Sequence, residues 1–237
     1  MSKLLLIRHG QARFLTDDYD RLSEQGEQQV ALLGEHWARR GIEFDQAISG
    51  TLKRQQGTAA IALENAKLQV PVKTLPSFDE FPFDEIMKLS LPQLREEHAQ
   101  IDERAREFEQ AKGSSDRYRS IQRLLELVVE QLTGADELPE AAAGLPTWSS
   151  FVARVSDALA AICHDSAAGS NVAVFTSGGV VAVAVQWALR APPEVAAQLC
   201  WRVQNASVTE FTFSGSRVSL DSFNTVEHLT PELRSFR

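Results

Sequence analysis

The chain has 237 residues, of which 43% are hydrophobic and 24% are charged, so a packed globular core is expected. Its formal net charge of −8 argues against broad binding to nucleic acid or to anionic membranes, which need basic surfaces, but it does not exclude an anionic substrate in a cleft lined by arginines. The apolar run Leu4 to Ile7 is too short for a signal peptide, and the chain lacks the roughly 20 consecutive apolar residues of a membrane span. We therefore expect a cytoplasmic protein.

The first half of the chain alternates between strand and helix patterns. Lys3 to Arg8 is apolar without helical periodicity, which is typical of a buried central strand. Gly26 to Arg39 follows as a helix with one apolar face, Phe44 to Ser49 as a short strand, and Leu52 to Leu63 as a second helix. This order predicts an α/β layer architecture.

The middle of the chain has a different pattern. Two helices are predicted, one charged from Pro92 to Lys112 and one from Asp116 to Leu132, followed by an acidic, alanine-rich segment from Gly134 to Pro146. Since strands of the sheet lie on both sides, we interpret residues 85–147 as a helical insertion or lid within a single domain of residues 1–237.

The last third returns to strands. Val172 to Thr176 is an apolar strand, and after the turn at Gly178 the chain continues as an apolar helix from Val180 to Leu189. Alternating apolar residues between Thr209 and Leu220, on either side of Ser214 to Ser216, predict a hairpin. The predicted fold class is a three-layer α/β/α arrangement with a mixed, mostly parallel sheet.

The strongest chemical signal is Arg8-His9-Gly10, directly after the first strand. Ligands of open α/β sheets bind in the crevice at the carboxyl ends of the strands, so the imidazole and the guanidinium are expected to point into one crevice. Gly10 lets the backbone turn sharply and approach a ligand. Arg54, in the first turn of the second helix, is positioned to present a bidentate cation to phosphate oxygens.

These residues stand within a larger set of motifs. The set comprises the RHG triplet, an L-[ST]-x-x-G-x-x-Q signature from Leu22 to Gln29, an S-x-x-x-x-R-x-x-x-T-A pattern from Ser49 to Ala59, and late segments at Asn205-Ala206-Ser207, Asn224 and His228-Leu229. In this order and at these spacings they resemble the histidine phosphatase superfamily, also called the phosphoglycerate mutase-like family. The resemblance covers most of the chain except the middle insertion.

The resemblance implies roles for individual residues. His9 would be the nucleophile that forms a phosphohistidine, with Arg8 and Arg54 holding the phosphoryl group. No cofactor or metal ion is expected, because the arginines offset the charge that a magnesium ion would otherwise neutralise. The expected ligand is a small phosphorylated metabolite or a phosphoprotein, and the sequence leaves the oligomeric state open.

A proton donor for the leaving group is expected in the segment Ser77 to Glu85. The family places a glutamate after an apolar residue there, and Glu80 is the best match. Asp79 and Glu85 remain alternatives.

One position departs from the family pattern. Members normally have a second histidine after a late strand, and here that position is Ser177, followed by Gly178 and Gly179. A serine hydroxyl and the amides that begin the next helix still offer hydrogen-bond donors to a phosphoryl group, so Ser177 and Gly178 are predicted to bind substrate along with Gly10. Losing one charged donor costs roughly 2–4 kcal/mol of transition-state stabilisation.

Three functions follow from these residues. The leading prediction is a phosphatase that hydrolyses a phosphomonoester, with activity reduced by the serine. The alternative is a weak or inactive relative that binds a phosphorylated ligand. A phosphoglycerate-type mutase ranks third, because the segment from Gln11 to Phe14 lacks the Trp-Asn ending of the family's mutases.

Overall fold

The computed structural model describes residues 1–13, 20–134, 137–192 and 194–236; Phe14, which bears on the mutase hypothesis, lies outside these ranges. The chain divides into two compact units. One comprises Met1–Glu80 and Arg154–Arg237, and the other comprises Phe81–Ala153. The single-domain organisation with an insertion at 85–147 stays a prediction. No helix in the described ranges is both long and apolar enough to cross a lipid bilayer.

The first unit is built on one mixed sheet. Over the described residues its strands are β1 (Ser2–Arg8), β2 (Gln46–Ser49), β3 (Val72–Thr74), β4 (Asn171–Thr176), β5 (Val208–Ser214) and β6 (Arg217–Thr225), in the order β3-β2-β4-β1-β5-β6. Strand β1 pairs in parallel with β4 and antiparallel with β5, and β2 pairs in parallel with both β3 and β4. The predicted α/β fold with a mixed, mostly parallel sheet is confirmed.

The helices over the same ranges are α1 (Glu24–Arg40), α2 (Lys53–Asn65), α3 (Phe83–Glu97), α4 (Ala99–Gln110), α5 (Ser114–Gly134), α6 (Trp148–Asp165), α7 (Gly178–Leu189) and α8 (Glu194–Leu199). In the first unit α1 and α2 contribute to a core against the sheet, where Trp37 meets Phe44 at 5.0 Å and Phe175 at 6.3 Å between ring centroids. This core supports the central strand that carries the RHG triplet.

The start of α1 explains the L-[ST]-x-x-G-x-x-Q signature. Ser23 is the N-cap, and its side chain accepts the Gly26 N–H at 3.1 Å, which satisfies one of the free amides of the first turn. A Cβ on Gly26 would lie 2.1 Å from the carbonyl oxygen of Gln11, so only glycine permits this approach. Gln29 then accepts the Gln11 N–H at 2.9 Å. The signature therefore fastens α1 to the segment after His9.

The second unit consists of helices packed on one another. Its core includes Ile86 and Leu94 of α3, Ile101 of α4, and Leu124 of α5. The prediction of a single helix from Pro92 to Lys112 is wrong. The chain is extended at His98 (φ −128°, ψ 101°), and the break allows α3 and α4 to bury apolar residues that one continuous helix would hold apart.

Candidate active site

His9 follows β1, and its backbone is held on both sides. Its N–H donates to the Thr176 carbonyl at 2.8 Å, across from the end of β4. Its carbonyl accepts the Ala206 N–H at 3.1 Å and Nδ2 of Asn205 at 3.3 Å. Asn205 is fully buried and belongs to one of the late motifs, whose role in fixing His9 the sequence did not indicate.

The His9 ring has one tautomer that fits its surroundings. Nδ1 lies 2.8 Å from the Gly10 carbonyl oxygen, which can only accept a hydrogen bond, so Nδ1 carries the proton. Burial, followed by the nearby cations Arg54 and Arg8, holds the pKa of His9 well below its usual range. The ring is therefore neutral, and its lone pair is on Nε2.

Arg54 meets that lone pair. Its Nε donates to Nε2 of His9 at 3.2 Å, and its Nη1 forms an ion pair with Oδ1 of Asp20 at 2.9 Å. The other Asp20 oxygen accepts the Lys53 N–H at 2.9 Å, at the first residue of α2. Asp20 therefore fixes both the guanidinium and the start of its helix. The sequence did not indicate Asp20, because a single acidic residue 34 positions away carries no local signal of the pairing.

Arg8 is held differently. Its Nη1 donates to the carbonyls of Val203 and Phe236, the latter at 2.8 Å. A Cβ on Gly178 would lie 3.5 Å from Nε of Arg8 and 3.1 Å from the Cys200 carbonyl oxygen, so this glycine leaves space beside the guanidinium. Arg8 is close enough to His9 to lower the pKa of its imidazole. Its contact with a phosphoryl group stays a prediction.

The carboxylates proposed as proton donors have different hydrogen-bond partners. Both oxygens of Asp79 are bound by Thr51, through its N–H at 2.5 Å and its hydroxyl at 2.6 Å, which gives Asp79 a turn-stabilising role. Oε2 of Glu80 accepts the Gly179 N–H at 3.0 Å, at the start of α7. Glu85 lies on α3, in the second unit. The choice of Glu80 as proton donor, with Asp79 and Glu85 as alternatives, stays a prediction.

Ser177 is fully buried, and its hydroxyl oxygen accepts Nε2 of Gln55 at 2.8 Å. Gln55 is also fully buried, although the neighbouring Gln56 is exposed. Sequence reasoning missed Gln55 because two adjacent glutamines give no sign of which faces the interior.

Gly10 has a packing role that can be seen directly. A Cβ there would lie 2.5 Å from the Gly26 carbonyl oxygen and 2.8 Å from a methyl group of Val30. Its N–H donates to Oγ1 of Thr58 at 3.2 Å, which links it to α2. The glycine therefore allows α1 to approach the site, whereas its predicted contact with substrate stays a prediction.

The described residues include two other clusters of titratable side chains. His36 and His228 face each other with ring centroids 6.2 Å apart, and burial lowers the pKa of His228 to about 4. In the second unit Arg95 forms ion pairs with Asp102 at 2.8 Å and Glu109 at 2.6 Å. Within the described ranges, no group of three or more His, Cys, Asp or Glu side chains is arranged to hold a metal ion.

Comparison with known proteins places these features in a family. The profile of the histidine phosphatase superfamily (branch 1) matches residues 4–139 and 117–226. A broad-specificity phosphatase of Saccharomyces cerevisiae is 37% identical over 71 residues, which cover 27% of this chain and 31% of that protein. A 2,3-bisphosphoglycerate-dependent phosphoglycerate mutase of Streptococcus gordonii is 44% identical over 81 residues, covering 31% of this chain and 35% of the mutase. The chain thus spans about a third of the length of these curated relatives.

The fold is shared over a longer stretch. The crystal structure of a phosphoserine phosphatase mutant from Entamoeba histolytica, in complex with phosphoserine, superposes with a TM-score of 0.66 at 20% sequence identity. The superposition covers 97% of this chain and 100% of the phosphatase. At this identity the likeness shows a common fold, and the family profile extends over most of the sequence. The chain therefore belongs to the histidine phosphatase superfamily.

Proposed function

We propose that the chain is a metal-independent phosphatase that hydrolyses a phosphomonoester through a phosphohistidine on Nε2 of His9. The observation that carries the proposal is the pair of hydrogen bonds made by the His9 ring. Nδ1 is fixed by the Gly10 carbonyl at 2.8 Å, and Nε2 meets Nε of Arg54 at 3.2 Å. A neutral imidazole with its lone pair beside a buried guanidinium is suited to attack on a phosphate whose oxygens the same cation stabilises.

In the first step the Nε–H of Arg54 turns from Nε2 of His9 to a phosphoryl oxygen, and the freed lone pair of Nε2 attacks phosphorus. The bond from phosphorus to the leaving oxygen breaks. The electron pair stays on that oxygen, which takes a proton from Glu80. In the second step water gives a proton to Glu80 and attacks the phosphohistidine, and the phosphorus–nitrogen bond breaks to release phosphate. Arg54 and Arg8 offset the charge on the phosphoryl oxygens in both steps.

The proposed substrates are small phosphorylated metabolites or phosphoproteins. Two observations support this class. The fold relative from Entamoeba histolytica holds phosphoserine, and the yeast relative is named as a broad-specificity phosphatase.

A second candidate is a relative that binds a phosphorylated ligand without turnover. It is favoured by Ser177, because its hydroxyl oxygen is bound by the neutral Gln55 side chain at the position where the family normally has a histidine. The mutase alternative rests on the Streptococcus relative, which is matched over about a third of its length.

The test is incubation with 4-nitrophenyl phosphate, with release of phosphate measured for the wild type and His9→Ala. The enzyme proposal predicts release by the wild type, loss of release in His9→Ala, and an acid-labile phosphohistidine at His9 after rapid quenching. His164→Ala is the matched control, since that histidine is exposed and contacts Asp165. Phosphate binding without release would support the recognition protein, and transfer between positions of a phosphoglycerate that needs a bisphosphate primer would support the mutase.

A further inference from the structure

Gln55 has a buried side-chain amide, and both its nitrogen and its oxygen form hydrogen bonds. Its Nε2 donates to the Phe78 carbonyl at 3.0 Å and to Oγ of Ser177 at 2.8 Å. Its Oε1 accepts the Leu52 N–H at 3.3 Å. Because the nitrogen faces two acceptors and the oxygen faces a donor, the amide has one orientation. It also follows Arg54 directly, on the helix that presents the guanidinium to the nucleophile.

The two acceptors of the Gln55 amide lead to the same carboxylate. Phe78 lies two residues before Glu80 in the chain, and Ser177 lies two residues before Gly179. The Gly179 N–H donates to Oε2 of Glu80 at 3.0 Å. Gln55 therefore ties the segment that carries Glu80 to the turn that binds it.

A further contact strengthens this connection. Oγ1 of Thr176 donates to the Phe78 carbonyl at 2.7 Å, so that carbonyl accepts from both the end of β4 and the Gln55 amide. Thr176, Gln55 and Ser177 are all fully buried, where such hydrogen bonds are not replaced by water.

We propose that Gln55 is a positioning residue for the proton donor Glu80. The inference rests on the proposed function, because it assigns Glu80 to protonation of the leaving oxygen. A proton donor must lie within hydrogen-bond distance of that oxygen, and a displacement of about 1 Å costs up to about 10²-fold in rate. An amide suits this task because it holds the carboxylate segment without adding a charge beside it.

The test varies the leaving group. The phenolate released from 4-nitrophenyl phosphate is weakly basic and leaves without a proton, whereas the phenolate from phenyl phosphate gains more from proton donation. Gln55→Met keeps the shape of the side chain and deletes its three hydrogen bonds. We expect kcat/KM for phenyl phosphate to fall about 10-fold more than kcat/KM for 4-nitrophenyl phosphate.

Four further variants make the test specific. Gln56→Met is the matched control on the same helix, since Gln56 is exposed and its Nε2 donates to the Thr51 carbonyl at 2.9 Å. For this control we expect an unchanged ratio of kcat/KM for phenyl phosphate to kcat/KM for 4-nitrophenyl phosphate. Glu80→Gln should reproduce the ratio change, and adding Gln55→Met to it should change the ratio no further, because both act on one proton transfer. Ser177→Ala removes one acceptor of the amide and tests the same link if Gln55→Met does not fold.

The outcomes separate this inference from the proposed function. Equal losses for both substrates in Gln55→Met, or an added ratio change in the double variant, would overturn the positioning role even when the phosphohistidine at His9 forms normally. Absence of the phosphohistidine in the wild type would instead overturn the proposed function, and the positioning role with it. If only Ser177→Ala folds, an unchanged ratio in that variant overturns the inference.

Discussion

Arg54→Met removes a cation that contacts the proposed nucleophile. The side chain of Arg54 is 10% exposed and its Nε lies 3.2 Å from Nε2 of His9, so solvent screens this charge little. Loss of a single preorganised donor of this kind costs about 3–4 kcal/mol in the transition state, or about 10²–10³-fold in kcat. We expect a loss in this range for 4-nitrophenyl phosphate.

The same variant should change the nucleophile in the opposite sense. The Arg54 charge is one of the causes that hold the pKa of His9 down, so its removal raises that pKa toward the ordinary histidine value. The ring titration can be followed by NMR, and activity is measured at about pH 7.5, above that ordinary value, so that His9 is neutral in both proteins. The variant should therefore lose activity although its imidazole has become more basic.

The control is Lys53→Met, which removes an exposed cation one residue earlier while leaving the backbone N–H that binds Asp20. It should alter neither the rate nor the His9 titration by more than a small factor, because exposed charges are screened. If Arg54→Met kept more than a third of the wild-type kcat with a stable fold, or left the titration of His9 unmoved, the assignment of Arg54 as the transition-state cation would be wrong.

The remaining predictions concern stability. Ser177→His should lower the free energy of unfolding by about 1–3 kcal/mol in a thermal melt, because the larger ring must enter a fully buried site beside Gln55, whereas Ser216→His in the exposed hairpin turn should be neutral. Gly57→Ala should raise the free energy of unfolding by about 0.5–1 kcal/mol, because its Cβ would have no atom closer than 3.5 Å within a helix. Burial lowers the pKa of His228 in the folded chain to about 4. The unfolded chain therefore binds more protons below about pH 6.5, and the free energy of unfolding falls as the pH drops. In urea melts between pH 7 and 5, the free energy of unfolding should fall by about 2 kcal/mol less for His228→Gln than for the wild type.

Much of the first unit could be predicted because its central strands are mostly apolar. β1 and β4 are short apolar runs without helical periodicity, which is typical of buried strands, and the predicted hairpin corresponds to β5 and β6. The edge strand β3 was missed, since its three exposed residues carry no periodicity. The break at His98 was missed for a related reason. It contains neither glycine nor proline, and it depends on how α3 and α4 pack.

The site could be predicted only as far as local motifs extend. His9 follows a strand and Arg54 lies in the first turn of a helix. The strand and helix patterns in the sequence therefore indicate where both residues lie. Asp20, Gln55 and Asn205 act through partners 34, 122 and 196 positions away, and polar residues give no sequence signal of such distant pairing. Tertiary structure alone reveals which polar side chains are buried.

The position of Arg54 would let a protein of net charge −8 keep the proposed nucleophile neutral in the presence of an anionic substrate. A bound phosphate carries negative charge, which by itself would favour protonation of His9 and remove the lone pair that attacks phosphorus. In the proposed site the guanidinium opposes that effect, because it lowers the pKa of the same ring and its charge would attract the phosphate. Burial adds to both, since it disfavours the imidazolium and strengthens the attraction between cation and phosphate. One buried arginine beside Nε2 would thus make phosphate binding compatible with a neutral His9. A cation on the far side of the phosphate would lie farther from the ring and would lower the pKa of His9 less.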